Sequence, residues 1–204
     1  MIRLTPEQLQ QLAPSALERC RDAFAQADDV LSKYAINENA LRLAHFMAQV
    51  LHESGGLCIV EESLSYTAKR MMVIWPKRFP TLEAAQPYAK NTQKLANKVY
   101  GGRMGNTDPD DGWRYSGRGL LQITGRESYA RYGGRLGCNL VGEPVLASDP
   151  QWSLSIAAEE WTDKGCNPFA DKDDINTITK RINGGLIGLD ERKKWLVKTK
   201  QVWA

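Results

Sequence analysis

The 204-residue chain carries 27 Lys and Arg against 24 Asp and Glu, a net charge of +3, with 42% hydrophobic residues. A chain of this length and composition can fill one core, and nothing in it fits a disordered, collagen-like or membrane-spanning protein. The mild basic excess is compatible with an anionic wall polymer but demands no polyanion.

Met1 to Thr5 leads straight into a polar helical pattern, without the apolar stretch and small-residue cleavage site of a secretory signal, so the chain is expected to begin its life in the cytoplasm. Its four cysteines, Cys20, Cys58, Cys138 and Cys166, are scattered with no CxxC pair. Reduced thiols, most of them packing residues, are expected rather than a zinc cage or a disulfide framework.

Thr5-Pro6-Glu7-Gln8 has the features of a helix start, with Thr5 as N-cap, Pro6 in the first position, Gln8 closing a capping box and Leu4 packing on Leu9. This helix should end before Pro14. Ser15 and Glu18 predict a second capping box, and Leu17, Cys20, Phe24, Ala27, Leu31 and Tyr34 recur at helical spacing, a core stripe. A third helix is expected from Asn37 to Ser54, with Ala40, Ala44, Met47 and Leu51 facing inward. Others are predicted over 67–75, 81–90 and 91–100, the last stopped by Gly101-Gly102.

The stretch from there to Gly119 reads as loop. Asn106, Asp108 and Asp110 alternate as in a calcium loop, but the glycine comes one place late, at Gly112, and Gly117 stands where the bidentate glutamate belongs. No metal site is expected. Leu120 to Thr124 has strand character and predicts a small β element. Helices follow over 127–132, 149–164, 173–183 and 190–203, and the last, with Arg192, Lys193, Lys194, Lys198 and Lys200 around Trp195 and Trp203, reads as a solvated basic face, the alternative being a face for an anionic wall polymer.

The chemistry is expected where the third helix runs out, at His52-Glu53-Ser54-Gly55-Gly56, followed by Glu61 and Glu62. On a continuous helix Glu53 and Glu62 would point to opposite faces, about 13 Å apart along the axis. The glycine pair ends the helix and lets Glu62 return toward Glu53 across a groove. Two facing carboxylates suit inverting glycoside hydrolysis, in which one acid protonates the leaving oxygen and the other, about 6.5 to 9.5 Å away, activates a water. Phe46 and Val50 share a helical stripe with Glu53, an apolar edge that would raise its pKa and suit it to the acid role. Glu62 lies among Glu61, Ser63 and Ser65, a polar setting that suits the base. The alternative is that Glu53 merely ends a helix while Glu61 and Glu62 are solvated.

His52-Glu53 also opens like an HExxH zinc site, but Gly56 occupies the place of the second histidine. His45, on the same face, is expected to be a buried, hydrogen-bonded residue, and His52 to orient Glu53.

Four stretches taken together, Gln49-Val50-Leu51-His52-Glu53-Ser54-Gly55-Gly56, Glu62-Ser63-Leu64-Ser65-Tyr66, Tyr115-Ser116-Gly117-Arg118-Gly119-Leu120-Leu121-Gln122-Ile123-Thr124 and Ile182-Asn183-Gly184-Gly185, resemble family 19 glycoside hydrolases. The resemblance is strongest to compact phage endolysins of that group and runs from about Leu4 to Trp203. It implies a mainly α-helical, lysozyme-like fold of two lobes around a cleft, and inverting hydrolysis of β-1,4 links in chitin or peptidoglycan. It implies Glu53 as general acid, Glu62 as general base and Thr124 as the hydroxyl that positions the attacking water. Tyr115, Gln122 and Asn183 match sugar-binding positions, and amide and phenol groups suit sugar hydroxyls and acetamido groups. Arg118 is expected to hold the loop. Thr124 stands where many plant members have serine and Ser128 where they often have asparagine, and the plant enzymes' paired cysteines and extra loops are not evident. The shorter chain implies a more open cleft, one that suits the lactyl-bearing sugar of peptidoglycan.

These readings predict one catalytic domain over residues 1–204, an endolysin needing neither metal nor cofactor. Its expected partner is the peptidoglycan glycan strand, not nucleic acid, without stable membrane insertion, and its expected state is a monomer. It would wait in the host bacterial cytoplasm until a holin-type permeabiliser opens the way to the wall. The alternatives are a chitinase acting on N-acetylglucosamine polymers, a catalytically silent wall-binding protein and a zinc peptidase.

Overall fold

A computed structural model describes residues 1–203, and the chain is mainly helical. Helix α1 (Pro6–Leu12) starts as its sequence predicts, Thr5 accepting from the Gln8 amide while the Gln8 side chain accepts from the Thr5 amide at 2.9 Å. The stripe from Leu17 to Tyr34 is divided between α2 (Glu18–Asp22) and α3 (Ala27–Lys33). The capping box predicted at Ser15 is absent, because Leu17 takes the N-cap position and makes no side-chain bond. Ala23, Phe24 and Ala27 are all buried, so the chain bends here and packs both faces of the bend.

Helix α4 (Ala40–Glu53) is N-capped by Asn39, whose side chain accepts from the Arg42 amide at 2.9 Å. Every residue from Leu43 to Leu51 is buried, more than the single inward stripe predicted. A helix enclosed all round is the spine of a fold rather than its wall. Phe46, Met47, Val50 and Leu51 join the largest core cluster, while Ala44 and Ala48 pack against Leu196 on another side.

The next three helices, α5 (Ala68–Ile74), α6 (Leu82–Ala85) and α7 (Thr92–Tyr100), are capped by Thr67, Thr81 and Asn91. A 3₁₀ turn, Gln86–Tyr88, replaces the second half of the helix predicted over 81–90, with Pro87 in it. Leu64, Met71, Phe79, Leu95 and Val99 form a core of their own here, separate from the one around α4. A short α8 (Asp111–Arg114) lies within the predicted loop and packs on α7.

The predicted β element at Leu120–Thr124 does not form. Gln122 has φ of +59°, outside the extended region, and pairing is reduced to two single antiparallel bridges, Glu61 with Arg118 and Arg118 with Ile123. Leu120, Leu121 and Ile123 are buried as a loop that crosses the core, which gives an apolar run without a sheet. Helix α9 (Arg126–Leu136) is longer than predicted and ends on a left-handed Gly137. Then come α10 (Pro150–Asp163), α11 (Asn167–Ala170), α12 (Ile175–Asn183) and α13 (Leu189–Trp203), the last lying along α4. The Thr199 hydroxyl donates to the Ala44 carbonyl at 2.9 Å and locks the pair. No helix among the described residues is long and apolar enough to cross a membrane.

Candidate active site

Glu53 is the last residue of α4, where the helix dipole presents partial negative charge and a carboxylate needs a compensating cation. Arg192 of α13 supplies it. Its side chain is about 2% exposed, and its guanidinium donates to Glu53 Oε1 and to Gln49 Oε1, one turn back on the same face of α4. The apolar edge expected beside Glu53 is therefore a charged one, and the argument for the acid role from apolar burial does not carry over. His52 is half-buried and packs against the backbone at Gly188. Burial, with the Arg192 charge adding to it, pushes the His52 pKa down, which keeps the ring neutral.

After Glu53 the chain reverses. Gly55, Gly56 and Leu57 take φ of +56°, +72° and +64° in succession, left-handed backbone that glycine adopts freely and leucine does not. The Ser54 hydroxyl donates to the Val50 carbonyl at 2.6 Å and accepts from the Leu57 amide at 2.9 Å, and Leu57 is fully buried, which offsets its strain.

Glu62 is held by the loop at 117–119. Its amide donates to the Gly117 carbonyl at 3.0 Å, the Gly117 amide donates back to Glu62 Oε1, and the Tyr100 hydroxyl at the end of α7 donates to Oε2 at 2.7 Å. Both carboxylate oxygens are thus used. A Cβ at Gly117 would lie 3.2 Å from Glu62 Oε1 and 3.2 Å from Gln122 Oε1, so the absence of a side chain there lets the two groups converge. Burial, with the adjacent Glu62 charge, pushes the Tyr100 pKa far up and keeps the phenol a donor.

Of the other residues singled out in the sequence, Gln122 stands beside Glu62, its amide donating to the Gly119 carbonyl at 2.7 Å. Thr124 follows, its hydroxyl donating to the Gln122 carbonyl at 3.0 Å. Asn183 is exposed at the end of α12 and donates to the Ile187 carbonyl at 3.2 Å, which shapes the loop that meets His52. Tyr115 is 2% exposed behind the loop, its hydroxyl donating to the Val141 carbonyl and its ring against Tyr129. So Glu62 and Gln122 converge on Gly117, with Thr124 tied to the Gln122 backbone, His52 and Glu53 end α4 with Asn183 bonded into the 183–188 loop that meets His52, and Tyr115 is buried against Tyr129. Arg118 does hold the loop, donating to the Arg114 carbonyl at 2.7 Å and to the Tyr129 hydroxyl. In the acidic turn, Asp110 accepts from Gln93 and Asn97, and Asp111 accepts from the Thr107 and Asp108 amides.

Arg192, Gln49 and Tyr100 escaped the reading of the sequence as members of the site. Arg192 stands in a run of cations, yet Arg192, Leu196 and Thr199 recur at helical spacing and are all buried, a signal that this arginine faces α4.

Two glutamates are thus held by different parts of a helical fold, Glu53 by a buried guanidinium and Glu62 by a backbone amide and a phenol. The chain belongs to glycoside hydrolase family 19. It is 39% identical over 158 residues to a glycosyl hydrolase family 19 domain-containing protein of Haemophilus influenzae, covering 76% of this chain and 77% of that one. No family model matches the chain. Its fold is similar to that of chitinase C from Streptomyces griseus, with a TM-score of 0.66 at 21% identity over 97% of this chain and 75% of that one. It is likewise similar to a class IV family 19 chitinase from Zea mays, with a TM-score of 0.64 at 17% identity over 97% of this chain and 91% of that one.

Proposed function

We propose that residues 1–204 act as one catalytic domain that hydrolyses β-1,4 glycosidic bonds in peptidoglycan glycan strands by inversion, as an endolysin. Glu53 protonates the leaving oxygen and Glu62 takes the proton of the attacking water, which Thr124 helps to place. His52 orients Glu53, and Gln122, Asn183 and Tyr115 shape the sugar sites, Tyr115 from behind the loop. The observation that carries the reading is the anchoring of Glu62. Its carboxylate is fixed through both oxygens by Gly117 and Tyr100, on a turn of its own separate from the Arg192-paired Glu53. That arrangement fits a base held still while the acid is held by a different part of the fold. The chemistry needs no metal or cofactor. The enzyme acts as a monomer, waits in the host cytoplasm and reaches the wall through a holin-type permeabiliser.

A chitinase is the second reading, favoured by the likeness of the fold to chitinases from Streptomyces griseus and Zea mays. Release of reducing ends from purified Gram-negative sacculi and from chitin oligosaccharides, by the wild type and by Glu53→Gln, separates the two. Faster cleavage of sacculi, lost in the folded variant, supports the endolysin. Cleavage of chitin alone supports the chitinase, and binding of sacculi without cleavage leaves a silent wall-binding protein.

A further inference from the structure

Charge is distributed very unevenly over this molecule. Between Tyr66 and Gly105 stand eight lysines and arginines against one carboxylate, Glu83, whereas the rest of the chain holds 19 cations and 23 carboxylates. The segment is α5 to α7 with its own core, so the excess is collected on one body. Lys69 and Arg70 lie exposed on α5, Lys94 and Lys98 one turn apart on α7, and Lys90 and Arg103 at its two ends. Among the described residues no ion pair includes any of the eight, while elsewhere arginines and lysines pair repeatedly with acids. Glu83 is occupied in the first turn of α6, and of the acids packed on α7 from outside, Asp110 is bonded to Gln93 and Asn97. The basic face of α13 is the contrasting case. There Arg192 is buried on Glu53, Lys194 pairs with Glu191, Lys200 with Asp173 and Lys198 lies over Trp195, and of this run Lys193 alone is exposed with neither an ion pair nor an aromatic partner among the described residues.

We infer that the α5–α7 body is a docking face for an anionic strand, and that its partner is peptidoglycan held through the carboxylates of its stem peptides. The inference rests on the proposed peptidoglycan reading and deepens it. Two observations select this partner. First, α7 carries Lys94 and Lys98 and ends in Tyr100, which holds Glu62, so a strand bound at Glu62 lies at the end of this basic body. Chitin carries no charge and gains nothing there, whereas peptidoglycan carries carboxylates along its length. Second, single-stranded nucleic acid needs open aromatic platforms as well as cations. The aromatics of this body are consumed in its own core, Tyr66 on Trp75, Trp75 on Phe79 and Phe79 on Tyr88 at 5.4 to 6.3 Å between ring centres.

The test is cosedimentation of the full chain with purified sacculi, carried out in a Glu53→Gln background so that binding is read without hydrolysis. The expected result is salt-sensitive binding that weakens roughly tenfold on Lys69→Glu with Arg70→Glu, as for several exposed charge contacts together, and that is lost when the sacculus carboxylates are amidated. Lys94→Gln with Lys98→Gln gives an independent reading on another helix, with circular dichroism confirming the fold of each variant. Binding that ignores salt, amidation and both double substitutions overturns the inference even if the enzyme proves to cleave sacculi. So does tighter binding to duplex DNA or to phosphatidylglycerol vesicles than to sacculi. Retained, charge-dependent binding by an enzyme that fails to cleave sacculi would instead separate the docking face from the proposed reaction.

Discussion

Glu53 ends a helix buried along nearly its whole length and faces a buried guanidinium, whereas Glu62 sits on an irregular turn and is fixed by one amide and one phenol. The first is held by packing of α4 against α13, through residues far apart in sequence. The second is held between two irregular turns, at 60–62 and 117–119, with the Tyr100 phenol reaching it from the end of α7. A carboxylate on a rigid element and one on a hydrogen-bonded turn are disturbed by different substitutions, and that difference makes the two halves of the site separable.

The largest expected effect tests whether both halves are chemical. Glu53→Gln and Glu62→Gln should each lower the rate of glycan cleavage by about 10² to 10⁴, with little change in helix content by circular dichroism, because each removes a proton-transfer group while keeping its shape. Equal activity of either variant would reduce that residue to a structural role.

Arg192→Met should strike the Glu53 half alone. It leaves Glu53 and Gln49 facing a gap without a cation, and loss of one partner of a buried pair costs about 3 to 5 kcal/mol, measured by urea unfolding. The anchoring of Glu62 should be unaffected, since none of its bonds involves α13.

Glu160 on α10 reports on the same buried side by pH. Burial, with Lys164 opposing it and the Glu53 charge adding to it, pushes its carboxyl up to about 7, and its Oε2 has no partner. The folded state therefore keeps a proton that the unfolded chain releases near pH 4.5. Stability from this group is present below that range and is lost as pH rises through about 7. Glu160→Gln should equal the wild type at pH 5 and exceed it at pH 8, by up to about 3 kcal/mol in urea unfolding. A parallel pH dependence in both proteins would show that Glu160 is not the source.

The smallest effect belongs to the Glu62 half. Tyr100→Phe removes one hydrogen bond from Oε2 and should lower kcat about five- to tenfold, the equivalent of about 1 kcal/mol, with KM nearly unchanged. An effect as large as that of Glu62→Gln would make Tyr100 a direct participant.

The contrast also explains what was legible in the sequence. Local signals read well: Thr5 with Gln8, the helix starts at 67 and 91 to within a residue, and the reversal at Gly55-Gly56 are each decided by a few neighbouring residues. Long-range facts did not. The burial of Arg192 depends on Glu53, 139 positions away, and the phenol on Glu62 comes from 38 positions away. Leu120 to Thr124 looked like a strand because buried loop and buried strand share an apolar pattern, and only the left-handed Gln122 tells them apart. Of the basic run on the last helix, Lys193, Lys194 and Lys198 are exposed as read, but Arg192 is buried on Glu53, since a charge run does not reveal which of its members are already paired.

The central claim is that Glu53 and Glu62 act as acid and base on opposite sides of a β-glycosidic bond. The anomer of the first-formed product, followed by proton NMR during early cleavage of a sacculus digest, tests it most directly. The account predicts the α-anomer at first, with β growing in by mutarotation. A β-anomer formed first would mean retention through a covalent intermediate, and would contradict a Glu62 that activates water.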